Sequence, residues 1–118
     1  MITLLENLKS HPPFTILDKS EFARIESHAQ IAYYPNETIL IDKDDLPKNL
    51  FVIIKGTVEV FDDNEEQIDV YQAHDIFAGI EIIEDQPSTY RYTVTEELIC
   101  FEIPKVLFLE ICESNKGF

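Results

Sequence analysis

The period of the hydrophobic pattern changes at about residue 30, and this change limits the fold more than any other feature of the sequence. From there to residue 103, apolar residues recur at alternate positions in short runs, as they do in half-buried β-strands. Turn-forming residues separate the runs, so the pattern predicts a sandwich or a small barrel. Seven runs are predicted as strands, namely Ile31/Tyr33, Ile39/Ile41, Leu50–Ile54, Val58/Val60, Ile68/Val70, Tyr90/Tyr92/Val94 and Ile99/Phe101/Ile103.

Helical patterns precede the β-rich segment. Residues 2–9 are predicted to form a short amphipathic helix, and residues 18–29 a second one. Asp18 can cap the second helix, and Glu21, three positions later, completes a capping-box pattern. The length of 118 residues allows one domain, with a core large enough to fold without disulfides or metals.

A last helix is predicted from Pro104 to about Asn115, because proline suits the first position of a helix. Its apolar face is too broad for a helix that is free on the surface. We therefore expect it to pack on the barrel, on a second copy of the chain in a homodimer, or on a further domain. The sequence stops soon after this helix, as expected for an N-terminal domain taken from a longer protein.

Acidic residues outnumber basic ones by 23 to 9, which gives a formal net charge of −14. Such a surface repels nucleic acid and anionic lipid, so neither is an expected partner. No apolar run reaches the length of a membrane span, and residues 1–10 lack the pattern of a secretory signal. These features predict a cytoplasmic protein.

The sequence offers little for catalysis or metal binding. His11, His28 and His74 are not spaced as metal ligands, and no grouping of Ser, Cys and His suggests a nucleophile. Cys100 and Cys112 lie among apolar residues and are predicted as small buried hydrophobes. The sequence thus predicts no metal, no cofactor and no enzyme activity. A cupin-type enzyme is the catalytic alternative, but its chemistry needs clustered His and Glu ligands.

Two stretches carry a resemblance to a known family. Residues 34–41 read Tyr-Pro-Asn-Glu-Thr-Ile-Leu-Ile, and residues 50–60 are an apolar strand, a Lys-Gly pair and an alternating strand before an acidic turn. In these stretches the chain resembles the cyclic nucleotide-binding domain family. Its ends are similar to a bacterial subgroup in which this domain precedes a CBS pair and a nucleotidyltransferase-like domain.

The resemblance implies a mainly β fold with flanking helices. An eight-stranded antiparallel β-roll, a jelly-roll-like barrel, would span residues 30–103, with N-terminal helices in 1–29 and a C-terminal helix in 104–118.

The family also has glycines at several corners of the roll. Here Gly56 is one such turn position, and Asn36, Asp44 and His74 stand at others. These three residue types are the non-glycines that adopt positive φ most readily, so they are expected to keep the corners.

The resemblance also implies a binding cassette. In the family, a segment like Gly-Glu-Leu-Ala begins a short helix whose backbone N–H groups hold the cyclic phosphate, its Glu binds the ribose, and an Arg after a Pro pairs with the phosphate. Matching forward places Ala78 at the Gly and Gly79 at the Glu; matching backward from the last strand places Ser88 at the Arg. The cassette positions are then Phe77, Ala78, Gly79, Ile80, Pro87, Ser88, Thr89 and Tyr90.

In this register both side chains that recognise a cyclic nucleotide are absent. Residues 75–88 carry four acids and no base, so an anionic cyclic phosphate would be repelled. Tyr90 falls where the family has a small alanine, and its ring is expected to fill part of the pocket. The Ser88 and Thr89 hydroxyls are the remaining candidates to replace the missing contacts.

A second register uses Glu81 and Arg91 as alternative ligand contacts, since they stand ten positions apart, a spacing that the family allows. This register misplaces Pro87. Arg91 also alternates with Tyr90 and Tyr92 along a strand, so it would face the other side of the sheet. The competing interpretation of Arg91 is a solvent-facing charge paired with an acid.

The sequence therefore favours a regulatory or sensory domain with a degenerate phosphate-binding cassette. Such a domain would sense a different small molecule or mediate assembly within a larger signalling protein, and it would control attached or partner domains through a shift of its last helix. The alternative is a genuine receptor for cyclic AMP or cyclic GMP with atypical contacts from Arg91 and Glu81.

Overall fold

A computed structural model describes residues 9–115 of the chain. The helix predicted over residues 2–9 lies, except for its last residue, outside the described residues. The described elements, in chain order, are a 3-10 turn at Phe14–Ile16, α1 at Lys19–His28, β1 at Gln30–Tyr34, β2 at Ile39–Ile41, β3 at Asn49–Phe61, β4 at Gln67–Tyr71, β5 at Ile76–Phe77, α2 at Gly79–Glu84, β6 at Arg91–Pro104 and α3 at Lys105–Ser114. No helix in this part of the chain is long and apolar enough to cross a membrane.

The capping box predicted before α1 is confirmed. The Glu21 amide donates a 2.7 Å hydrogen bond to the Asp18 carboxylate, and the Asp18 amide donates one of 3.0 Å to the Glu21 carboxylate. These two bonds satisfy backbone N–H groups that the first turn of a helix otherwise leaves free. The helix then buries Phe22 and Ile25 against the roll.

The prediction of a mainly β roll with flanking helices is confirmed, but residues 9–115 form six strands rather than eight. All pairs are antiparallel, with the order β1-β6-β3-β4, while β2 pairs with β6 and β5 with β3. The long strands β3 and β6 each replace two of the predicted strands, because their hydrogen-bonded ladder continues past a shift in register at residues 53–58 of β3. The two-residue strand β5 was not predicted, since two residues show no period.

Gly56 lies at this shift in register. Its φ is 110°, and the β3–β6 register shifts on both sides of it. A Cβ atom at residue 56 would lie 2.3 Å from the backbone oxygen of Glu97, so a side chain there would collide with the partner strand. The close approach of the two backbones therefore requires glycine.

Asp44 and His74 adopt positive φ, 72° and 76°, as expected at corners. At the third expected position the structure differs, because Asn36 lies in the turn but Glu37 carries the positive φ of 74°. The amide of Thr38 donates to the Pro35 oxygen at 3.3 Å, which makes Glu37 the third residue of the turn. Positive φ falls at the third residue in type II turns.

The core has two parts that meet at the sheet. One lies inside the roll and includes Cys100, and the other lies between the sheet and the helices, with Cys112 packed against it. The broad apolar face of α3 packs in the second part through Leu107, Phe108 and Ile111. The prediction that α3 begins at Pro104 is off by one residue: Pro104 ends β6 in extended geometry and is the N-cap.

Candidate functional site

The expected cassette lies where β5 turns into α2. Phe77 ends β5, and Ala78 is the N-cap of α2 with a φ of 76° and a ψ of 0°. An alanine in this left-handed conformation is strained, because its Cβ approaches the following carbonyl oxygen. Ala78 therefore occupies a backbone position that suits glycine, while Gly79 does not have positive φ.

Two adjoining clefts lie along α2. The first has a volume of about 230 Å³ and is mostly apolar, and the second has about 330 Å³. Both are lined by Tyr71, Ile80, Glu81 and Tyr92. The first also contains Pro13, Leu50, Ile76, Phe77, Ala78, Gly79 and Phe108, and the second Val60, Ile68, Asp69, Glu84, Gln86, Pro87, Thr89 and Tyr90.

Tyr71 and Tyr92, which line both clefts, belong to a cluster of near-parallel aromatic rings. The Phe77 ring lies with its centroid 5.3 Å from that of Tyr71 and 5.4 Å from that of Tyr92. The Tyr92 hydroxyl donates a 2.8 Å hydrogen bond to Oε1 of Glu81. Burial, and then this hydrogen bond, raise the pKa of Tyr92 above its usual value. Burial, and then the Asp69 charge, raise the pKa of Tyr71 to about 12.

The charged groups that line the clefts are all acidic. Asp69, Glu81 and Glu84 belong to the lining, and no lysine or arginine of the described residues does. None of the four ion pairs found within residues 9–115 involves any of these three carboxylates. The site therefore presents uncompensated negative charge beside an aromatic wall.

Ser88, at the position that the first register gives to the arginine, does not line either cleft. Its side chain is 1% exposed, and its hydroxyl donates a 2.7 Å hydrogen bond to the Tyr90 oxygen. The Ser88 backbone is also bonded to the Asp44 amide and the Asp45 oxygen, both at 2.8 Å. Of the two candidate hydroxyls, only that of Thr89 belongs to a residue in the cleft wall.

Arg91 lies outside both linings, although Glu81 lies in both. The Arg91 guanidinium makes two hydrogen bonds to the Glu65 carboxylate, at 2.7 and 2.6 Å, and lies 5.1 Å from the centre of the Phe61 ring. The structure thus does not bring the pair of the second register together. Arg91 instead pairs with Glu65 on the β3–β4 turn.

Tyr90 and Ile80 stand at the edges of the site. Tyr90 is in the wall of the second cleft and is 38% exposed. Ile80 is 70% exposed although it belongs to both linings. An exposed isoleucine on the short helix leaves an apolar rim beside the acidic groups.

One contact that sequence reasoning missed joins His11 and His74. The rings of His11 and His74 stack with their centroids 4.0 Å apart, and nothing in their wide sequence separation indicates this. Two imidazoles alone do not complete a protein zinc site. Within residues 9–115, no group of three or more His, Cys, Asp or Glu side chains is arranged to hold a metal ion.

Solved structures share this architecture. The sensor domain of the transcriptional regulator DNR from Pseudomonas aeruginosa is 15% identical, with a TM-score of 0.86 over 96% of this chain and 83% of that one. The regulatory domain of Toxoplasma gondii PKA with cAMP is 20% identical, with a TM-score of 0.81 over 92% of this chain and 42% of that one. The regulatory subunit of a cAMP-independent protein kinase A from Trypanosoma brucei is 12% identical, with a TM-score of 0.78 over 94% and 43%.

At these identities the structures establish the fold alone. No curated protein matches the chain. The family model for the cyclic nucleotide-binding domain matches residues 31–115, which includes the strands, α2 and both clefts' acidic groups. The chain belongs to the cyclic nucleotide-binding domain family.

Proposed function

We propose that this domain is a regulatory module, without catalytic activity of its own, that does not hold a cyclic nucleotide in the usual way of its family. The observation that carries the proposal is the charge of the clefts along α2. Three carboxylates line the clefts, and no lysine or arginine of residues 9–115 does. A cyclic phosphate in either cleft would be repelled by the nearby carboxylates, and this repulsion is strong where water is partly excluded.

The backbone supports the register on which this proposal depends. Ala78 takes the left-handed conformation that suits the glycine of the cassette, and α2 begins at the next residue. In the same register Ser88 replaces the arginine, and its hydroxyl is already used by the Tyr90 backbone. In this register, the position of the family's arginine therefore offers neither a cation nor an unused hydroxyl.

A ligand in the first cleft would contact the last helix directly. Phe108 of α3 lines this cleft together with Ile80 of α2. A Cβ added at Gly79 would lie 3.7 Å from the Phe108 ring, so the two helices are in close contact there. A change in α2 would shift the packing of α3, which leads towards any attached or partner domain. The regulatory subunit of the cAMP-independent kinase from Trypanosoma brucei has the same fold, which supports the proposal that this fold can serve regulation without cyclic AMP.

The test is calorimetric titration of the chain with cyclic AMP and cyclic GMP, combined with thermal unfolding. Ligand at 100 times its dissociation constant stabilises a folded domain by about 2.7 kcal/mol, so at millimolar concentration a ligand with a Kd of about 10 μM gives a visible shift. We expect no saturable heat and no shift. Saturable binding of either nucleotide would overturn the proposal, and its loss in Arg91→Ala would then favour the atypical receptor.

A restored cassette provides the positive control. The combined change Gly79→Glu, Ser88→Arg and Tyr90→Ala introduces the two family side chains and removes the ring from the pocket wall. If the register is right, this variant gains affinity for cyclic AMP, and circular dichroism verifies that it is folded. A folded variant without affinity would contradict the register, while the titration of the unchanged chain would still decide its own binding.

A further inference from the structure

The second cleft combines a cavity, an aromatic wall and uncompensated acids. Its volume of about 330 Å³ is near the lower end for small-molecule sites, and Tyr71 and Tyr92 form part of its wall. Their ring planes are within 8° of parallel, with centroids 6.3 Å apart. The aromatic side chains thus give the cavity an apolar surface, and the carboxylates beside them determine which charge a ligand must carry.

The best-positioned negative charge of the second cleft is the Glu81 carboxylate. Its Oε1 accepts the Tyr92 hydroxyl at 2.8 Å, so the carboxylate is held beside the ring cluster. Glu84 lies three residues after Glu81, about one turn further along α2, and Asp69 lines the cleft from β4, so negative charge comes from two elements. No lysine or arginine of residues 9–115 neutralises these groups within the cleft or by an ion pair.

We propose that this cleft binds a small organic cation, an ammonium group attached to an apolar or aromatic body. The ammonium would pair with Glu81, with Glu84 and Asp69 adding attraction, and the body would lie against Tyr71 and Tyr92. Carboxylates and aromatic rings both attract an ammonium group, and both interactions strengthen when water is displaced. The inference rests on the proposed function, because a site that holds the cyclic phosphate must attract an anion, and such a site would not favour an ammonium group.

A matched series of probes isolates the charge. The probes are 2-phenylethylammonium, 2-phenylethanol and phenylacetate, which share the phenyl ring and differ in charge, with hexylammonium as an aliphatic cation. They are titrated into the whole chain and followed by amide chemical shifts. We expect the cations to shift residues of α2 and β4, and 2-phenylethylammonium to bind about tenfold tighter than the alcohol, the difference expected for one charge-assisted hydrogen bond. Phenylacetate should bind weakest.

Two variants locate the effect. Glu81→Gln removes one charge and keeps an oxygen that can accept from Tyr92, so the preference for the cation over the alcohol should largely disappear. Glu26→Gln removes the same charge from the exposed side of α1, outside the cleft linings, and should leave the preference unchanged. Equal loss in both variants would mean attraction by net charge alone and would overturn the proposal.

The remaining outcomes are also decisive. Absence of saturable shifts with both cations, or tightest binding of phenylacetate, overturns the cation site. Cyclic AMP is titrated into the same sample, so the two proposals fail separately. If neither the cations nor cyclic AMP bind, only the cation site is lost. If cyclic AMP saturates the cleft, the proposed function is lost as well.

Discussion

The Tyr92 hydroxyl donates a 2.8 Å hydrogen bond to Oε1 of Glu81, and this bond joins β6 to α2 where the two clefts meet. Tyr92 is only 5% exposed, so its hydroxyl depends on a protein acceptor rather than on water. Glu81 accordingly has two roles: it supplies charge to the site, and it holds the short helix against the roll.

Tyr92→Phe should loosen α2. The change removes the hydroxyl and keeps the ring, so the free energy of unfolding should fall by about 1 kcal/mol, the usual net value of one hydrogen bond. Amide hydrogen exchange should quicken in α2 more than in β3. Tyr90→Phe is the control, because the Tyr90 hydroxyl has no hydrogen bond to any residue in the described part of the chain. Equal effects of the two changes would show that the Glu81 contact does not hold the helix.

Ala78→Gly should leave stability almost unchanged. Relief of left-handed strain, about 1–2 kcal/mol, is offset by the loss of one buried methyl group, about 0.8 kcal/mol, and by the greater freedom of glycine in the unfolded chain, about 0.4–1 kcal/mol. Ala23→Gly, on the exposed surface of α1, should destabilise by about 1 kcal/mol. Urea unfolding of both variants checks this, and a loss at Ala78 as large as that at Ala23 would contradict the strain.

The sequence pattern predicts which segments are strands and helices better than it predicts where they break. Alternation shows which residues face the core, and the Asp18–Glu21 pair marks a helix start through local bonds alone. Whether the ladder breaks at a corner depends on contacts between distant strands, here Gly56 against Glu97. A local pattern cannot contain that information, so the eight expected strands become six in residues 9–115.

The site shows the same limit. The placement of Arg91 outside the two cleft linings follows from strand alternation, which puts it on the face opposite to Tyr90 and Tyr92. The contact of Tyr92 with Glu81 does not, because the two residues lie on different elements whose relative position is set by packing. The left-handed conformation of Ala78 could not be predicted from its residue type either, since alanine rarely adopts that conformation. The family register places Ala78 at a glycine of the family, but it carried no prediction of that conformation.

The two glycines of the described chain should respond differently to alanine. Gly56→Ala would place a Cβ 2.3 Å from the Glu97 oxygen at a φ of 110°, and it should destabilise by more than about 3 kcal/mol or prevent folding. Gly79→Ala would meet Leu50 at 3.4 Å and Phe108 at 3.7 Å, which are ordinary contacts. It should change stability by less than about 1 kcal/mol. Thermal unfolding of both variants is the measurement, and a tolerated Gly56→Ala would contradict the close approach of β3 and β6.

Alkaline pH should destabilise the domain through the tyrosines of the ring cluster. The pKa of Tyr71 is raised to about 12, chiefly by burial, whereas a tyrosine in an unfolded chain has a pKa of about 10. Between these values the unfolded state releases a proton that the folded state keeps, so the free energy of unfolding falls as pH rises. The stabilisation is complete below pH 10 or so and is lost as pH rises through about 12. Tyr92, whose pKa is also raised, acts in the same direction.

The double variant Tyr71→Phe, Tyr92→Phe separates this effect from the titration of lysines, which both proteins share. Urea unfolding from about pH 8 to about pH 11 gives the free energy of unfolding of each protein. The unchanged chain should lose stability more steeply above about pH 10, and the difference between the two proteins should shrink with pH. Parallel curves would mean that the two phenols ionise as easily in the folded state as in the unfolded one. The ring cluster would then be open to water, and the aromatic wall of the cation site would lose the dry surface on which its attraction for an ammonium group depends.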